Sequence, residues 1–99
     1  LFLGYPPHKK GRKKFFEEVV ESVHPVILYE SPHRILKTLQ ELQERLRNLA
    51  VARNHSIIVG RELTKQFETV YRGTVQEMLL QFKQEKPRGE FVIVVYEKK

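Results

Sequence analysis

The sequence contains no cysteine. That excludes a disulfide framework, a thiolate zinc site and a cysteine nucleophile, and it suits a reducing compartment such as the cytoplasm. No apolar run approaches the roughly 20 residues that a membrane-spanning helix needs. The opening Leu1-Phe2-Leu3 is far too short for a secretory signal. The four histidines, His8, His24, His33 and His55, are scattered, and no two stand at the i, i+4 spacing of a helical metal site. No metal is therefore expected. GxGxxG, P-loop and GxSxG strings are missing, which leaves a nucleophilic hydrolase without support. An initiating Met is also missing, so the chain reads as the middle of a longer polypeptide.

What is present suits one small α/β domain. The 99 residues are 40% hydrophobic and 30% charged, ordinary values for a globular chain. Net charge is +6, and the pI is near 9.7. A surplus of that size favours a polyanionic partner. The cations concentrate in residues 8–14, where Lys9, Lys10, Arg12, Lys13 and Lys14 surround Gly11. A mobile basic segment of this kind tracks phosphates and releases counterions, with Tyr5 and Phe15 as flanking aromatics. It also reads as an ordinary solvated charge run, with Phe15 in the core. An anionic membrane fits less well, because Glu17, Glu18 and Glu21 line one face of the helix that follows.

Residues 1–7 read as a linker or the edge of a neighbouring domain, because Pro6-Pro7 suits neither a helix nor a central strand. Phe15, Phe16, Val19, Val20 and Val23 recur at helical spacing, which predicts a helix over 12–23. The unbroken apolar run Val26-Ile27-Leu28-Tyr29 predicts a strand buried on both faces. Ser31-Pro32 then predicts a cap and first helical residue, opening a helix to about Leu49. Its stripe is Ile35, Leu39, Leu42, Leu46 and Leu49. That stripe is under three heptads long, so it reads as core packing and not as a coiled coil.

A turn over 51–54 leads to a strand over 56–62, and a further strand is expected over 68–72. The short link between them predicts an antiparallel pair. Thr74-Val75-Gln76-Glu77 is a capping box that starts a third helix. Lys86-Pro87-Arg88-Gly89 is a turn, and 91–96 is a final, central strand. The order α-β-α-β-β-α-β predicts an α/β layer fold, with a mixed sheet of about four strands and three main helices.

Ligands in open α/β sheets bind beyond the carboxyl ends of strands. Two such exits carry a carboxylate, a hydroxyl and a cation: Glu30-Ser31-Pro32-His33-Arg34, and Arg61-Glu62-Leu63-Thr64-Lys65. The helix start after the first exit offers free N–H groups to a polar ligand. The same residues also serve as a plain cap and as salt-bridging ions. His33 has no carboxylate at a diagnostic spacing, so it reads as an ordinary surface residue.

Several strings, in this order and spacing, resemble the tetrapyrrole methylase-like (class III) methyltransferases, and among them those acting on small-subunit ribosomal RNA. They are Phe2-Leu3-Gly4-Tyr5-Pro6-Pro7, Lys9-Lys10-Gly11-Arg12, Tyr29-Glu30-Ser31-Pro32-His33-Arg34, Arg61-Glu62-Leu63-Thr64-Lys65, Arg72-Gly73-Thr74 and Pro87-Arg88-Gly89-Glu90. The resemblance spans nearly the whole chain. Tyr5-Pro6-Pro7 departs locally from the Phe-Leu-Pro common in the family.

The resemblance implies two α/β domains with S-adenosylmethionine held between them, and 2′-O-methylation of an rRNA cytidine. This chain matches the C-terminal domain. A glycine-rich N-terminal domain would precede it, and residues 1–7 would be the end of the interdomain connection. Glu30, Ser31, Pro32, Arg61 and Glu62 would line the donor cleft. Gly89 would allow close backbone approach to the donor or to another strand. Lys9, Lys10, Arg12, Lys13 and Lys14 would reach toward rRNA. Glu62 is the candidate general base, and Arg34, Arg61 and Lys65 are candidate cations beside the reacting hydroxyl. The fragment alone would be inactive, and the full-length protein would be a homodimer. Two other readings remain open: a non-catalytic RNA-binding module, and a dimerisation domain.

Overall fold

The computed structural model describes residues 1–48, 55–62 and 67–97. Its elements are β1 (Phe2–Gly4), α1 (Arg12–Glu21), β2 (Val26–Glu30), α2 (Ile35–Arg47), β3 (His55–Glu62), β4 (Phe67–Gly73), α3 (Val75–Gln84) and β5 (Glu90–Glu97). The strands form one sheet in the order β1-β2-β5-β3-β4. β1 runs parallel to β2. β5 is antiparallel to both β2 and β3, so those two point the same way. β3 and β4 form the expected antiparallel pair.

The α/β class, the helices and the central position of β5 match the expectation. The sheet has five strands where about four were expected, because Phe2–Gly4 pairs with β2 at the edge. Three residues are too few to show strand periodicity, and the prolines behind them argued for a connection. A parallel neighbour needs a crossover, and α1 supplies it between β1 and β2.

α2 begins at Ile35, later than Ser31-Pro32 predicted. Ser31 gives no side-chain cap; its carbonyl instead accepts the N–H groups of Arg34 and Ile35 in a tight turn. The Ser31 N–H turns back to the Glu30 carboxylate, which takes over the local hydrogen bonding. α3 does start on its capping box, with Thr74 Oγ1 accepting the Glu77 N–H at 3.1 Å and Glu77 Oε1 accepting the Thr74 N–H at 2.9 Å.

All three helices pack on one face of the sheet. The core joins Phe16, Val19 and Val20 of α1, Ile35, Leu39 and Leu42 of α2, and Val75, Met78 and Phe82 of α3 to alternate residues of β2, β3 and β5. Leu49, the last residue of the predicted stripe, lies outside the described residues. β2 is buried on only this face: Val26, Leu28 and Glu30 are covered, while Ile27 is half-exposed and Tyr29 exposed. Its apolar run is continuous because both faces are apolar, yet among the described residues one face has no layer against it. That face continues across the sheet as a shallow apolar depression lined by Ile58, Gly60, Val70, Val92 and Val94.

Candidate functional site

Parallel β1, β2 and β3 release their carboxyl ends along one edge, where β5 also enters. The register aligns Glu30 of β2 with Phe91 of β5, Phe91 with Arg61 of β3, and Glu62 with Glu90. The two strand exits singled out in the sequence are thus separated by one strand. They carry opposite charges on the helix-covered face, with the fully buried Phe91 ring between them.

At the β2 exit the carboxylate of Glu30 is only 2% exposed. Its Oε1 accepts the Ser31 N–H at 2.9 Å. Its Oε2 accepts the hydroxyl proton of Thr38 from α2. Thr38 in turn accepts Arg12 Nη2 at 3.5 Å. The rest of the Arg12 guanidinium meets Glu41: Nε donates to both carboxylate oxygens at 3.1 Å, and Nη2 lies 3.0 Å from Oε1. Arg12 Nη1 donates to the Pro7 carbonyl. The guanidinium carbon also sits 5.1 Å from the centre of the Phe16 ring.

The loop after β1 is tied to the same exit from outside. Arg34 Nη2 donates to the His8 carbonyl at 3.0 Å, and Arg34 Nη1 lies 3.4 Å from His8 Nδ1. The Tyr5 hydroxyl donates to Glu90 Oε1 at 3.1 Å. That bond to an acceptor carboxylate holds the Tyr5 phenol pKa above its usual value. The Tyr5 ring packs edge-on to Tyr29 at 5.6 Å, and Phe2 packs on Tyr29 at 5.2 Å, which puts three aromatics at one end of the open face.

The β3 exit is organised around Arg61, which is 8% exposed. Its Nη1 donates to Glu85 Oε1 at 2.6 Å and its Nη2 to Thr69 Oγ1 at 3.1 Å. Glu85 also accepts from Tyr71 Oη at 3.3 Å and from Gln81 Nε2 at 3.0 Å. The hydrogen bond from Arg61, then that from Gln81, holds the Glu85 carboxyl below its ordinary range, while burial raises the Tyr71 phenol. Arg61 Nε is buried without a hydrogen-bond partner among the described residues.

The sequence-selected residues therefore divide. Glu30, Ser31, Pro32 and Arg34 come together with the loop of residues 5–12. Arg61 stands beyond Phe91, engaged with Glu85 and Thr69. Gly89 opens the approach to β5 with φ +76°, a left-handed conformation that favours glycine. Lys9, Lys10, Lys13 and Lys14 are exposed, whereas Arg12 turns inward and is 7% exposed. Glu62 ends β3, and its side chain lies outside the described residues, as does the whole of Lys65.

Sequence reasoning missed Thr38, Glu41 and Glu85. Thr38 had left a signal. It stands three residues after Ile35 and four before Leu42, a polar side chain on the apolar stripe, and a buried hydroxyl needs a partner. Nothing in the sequence around Glu41 or Glu85 sets either apart from a surface carboxylate.

A family model described as Tetrapyrrole (Corrin/Porphyrin) Methylases matches residues 1–79. Among curated relatives, a protein of Synechocystis sp. named ribosomal RNA small subunit methyltransferase I is 38% identical over 96 residues, covering 96% of this chain and 33% of the relative. The protein of the same name from Neisseria meningitidis serogroup B is 37% identical over 98 residues, covering 96% of this chain and 32% of the relative. The chain thus spans about a third of the length of these relatives. Among solved structures, the cobalamin biosynthetic enzyme cobalt precorrin-4 methyltransferase superposes with a TM-score of 0.63 at 14% identity, covering 97% of this chain and 40% of that one. At that identity the likeness concerns the fold alone. With a family model matching most of its length and these relatives aligned over 96% of it, the chain belongs to the tetrapyrrole (corrin/porphyrin) methylases.

Proposed function

We propose that this chain is the C-terminal domain of an S-adenosylmethionine-dependent methyltransferase that modifies a cytidine 2′-hydroxyl of small-subunit ribosomal RNA in the cytoplasm. One observation carries the reading. The two strand exits that resemble the family strings lie at the same end of the sheet, one strand apart, at the carboxyl ends where open α/β sheets bind ligands.

That end fits one wall of a donor cleft. The half-buried turn Ser31-Pro32 and the left-handed Gly89 present backbone to the cleft, and Arg61 Nε, without a partner among the described residues, offers a buried donor. Glu30 acts from behind, since both of its oxygens are already engaged. When bound, S-adenosylmethionine supplies an electrophilic methyl on its sulfonium. A ribose hydroxyl attacks poorly while protonated, so Glu62 is the base proposed to accept that proton, with Arg34 and Lys65 as the adjacent cations. The exposed Lys9, Lys10, Lys13 and Lys14 contact rRNA phosphates.

The remaining, N-terminal domain of the longer protein supplies the other wall, with residues 1–7 ending the connection. The uncovered apolar sheet face supports a further packing partner, and the full-length protein is proposed to be a homodimer. The test is methyl transfer from labelled donor to small-subunit rRNA. The full-length protein should transfer methyl to a cytidine ribose, and residues 1–99 alone should not. Transfer to a base, or full activity of the 99 residues alone, would overturn the reading.

A further inference from the structure

Arg12 lies within the basic loop by sequence but not by environment. Lys9, Lys10, Lys13 and Lys14 are all exposed, while Arg12 is buried against Phe16. Its donors reach acceptors on separate segments: the Pro7 carbonyl after β1, and Thr38 and Glu41 on α2. A lysine ammonium lacks the planar fork that serves several acceptors at once.

Thr38 extends the connection. Its hydroxyl carries a single proton, which goes to Glu30 Oε2, so a lone pair faces Arg12. The other oxygen of Glu30 takes the Ser31 N–H. A continuous line of hydrogen bonds thus runs from the exit of β1, through Arg12, Thr38 and Glu30, to the first peptide N–H beyond β2.

We infer that Arg12 is a positioning residue for methyl transfer: through Thr38 and Glu30 it holds the turn at residues 30–32 in the place the donor requires, and it does not bind RNA phosphate. The inference rests on the function proposed above. Its physical basis is that a wall displaced from the place the donor requires loses contacts made to the bound donor and in the transition state alike, which raises donor KM more than it lowers kcat. A turn with half-exposed Ser31 and Pro32 has little packing of its own to hold it.

The experiment uses the full-length protein with wild-type sequence, Arg12→Ala, Thr38→Val, Thr38→Ser, and a variant with Lys9, Lys10, Lys13 and Lys14 all changed to Ala. Donor KM and kcat, thermal melting, and the salt dependence of rRNA binding are measured on each. Arg12→Ala should raise donor KM about tenfold or more, with a smaller change in kcat. It should leave the slope of log binding constant against log salt as in wild type. The quadruple lysine variant should flatten that slope by up to about 3, from roughly 0.7 per single-strand phosphate contact. Thr38→Val should reproduce the rise in donor KM, and Thr38→Ser should restore the wild-type value.

An Arg12→Ala protein with wild-type donor KM, or with a flattened salt slope, overturns the inference. Should Arg12→Ala fail to fold, the threonine pair decides: a normal donor KM in Thr38→Val, or no restoration by Thr38→Ser, overturns it equally. A wild-type protein that transfers no methyl to rRNA overturns the proposed function instead, an outcome separate from either variant result.

Discussion

Two arginines, Arg12 and Arg61, anchor the two strand exits, and they do so differently. The Arg12 side chain is 8% exposed and its partner Glu41 27%, while the Arg61 side chain is 10% exposed and its partner Glu85 40%. Arg12 connects segments that meet only in the folded chain: a loop, a helix and, through Thr38, a strand end. Arg61 connects neighbours on the β3–β4 hairpin to the end of α3, where Gln81 and Tyr71 also hold Glu85. An arginine at a strand exit is thus no sign of a ligand contact by itself. What matters is how many of its donors the protein has already used.

The comparison is broken most severely by removing what separates the two networks. Phe91 is fully buried between Glu30 and Arg61, so Phe91→Ala should destabilise the protein by about 4 kcal/mol. Urea denaturation of the full-length protein would measure that loss. A cost near zero would mean that the two exits do not depend on the ring between them.

Next comes Arg12→Ala, which leaves Glu41 and the Pro7 carbonyl without their cation. The expected loss is about 2–3 kcal/mol, below the full cost of breaking a buried pair because Glu41 is partly solvated. The same denaturation series should rank it above any single change in the Arg61 network.

Tyr71→Phe removes one hydroxyl donor to Glu85, whose other donors remain, and should cost at most about 1 kcal/mol. A larger loss would show that the Arg61 network is as interdependent as that of Arg12.

The smallest effect is the pH response. The Glu85 pKa is lowered from 4.5 in the fold, so the fold favours its charged form. The stability this contributes is present above 4.5 and is lost as pH falls through the lowered value. Wild type should therefore lose a stability increment on acidification that Glu85→Gln does not lose, read as converging denaturation midpoints. Midpoints that stay parallel would remove Glu85 from the network.

Legibility in the sequence followed how local the cause was. The capping box at Thr74 and Glu77, the β3–β4 hairpin and the apolar strand β5 were readable, because each depends on neighbours in sequence or on unbroken apolar character. β1 was not, since a three-residue strand exists only through its pairing with β2. α2 starts at Ile35 and not at Ser31: residues 31–34 form a turn closed by the Ser31 carbonyl, and the Ser31 N–H goes to Glu30, which is held by Thr38 eight positions on. The open face of the sheet was misread as covered, because composition reports that a face is apolar and not what lies against it.

The sequence by itself determined the α/β class and the family strings. Periodicity, capping and motif spacing are local properties that survive without coordinates. Only the tertiary structure decided which cations are free. Lys9, Lys10, Lys13 and Lys14 remain in solvent, while Arg12 is drawn inward by acceptors on α2 and the β1 loop. The physical reason is desolvation: a guanidinium leaves water only where the fold brings enough acceptors together, and two of those acceptors, Thr38 and Glu41, lie far from Arg12 in the chain.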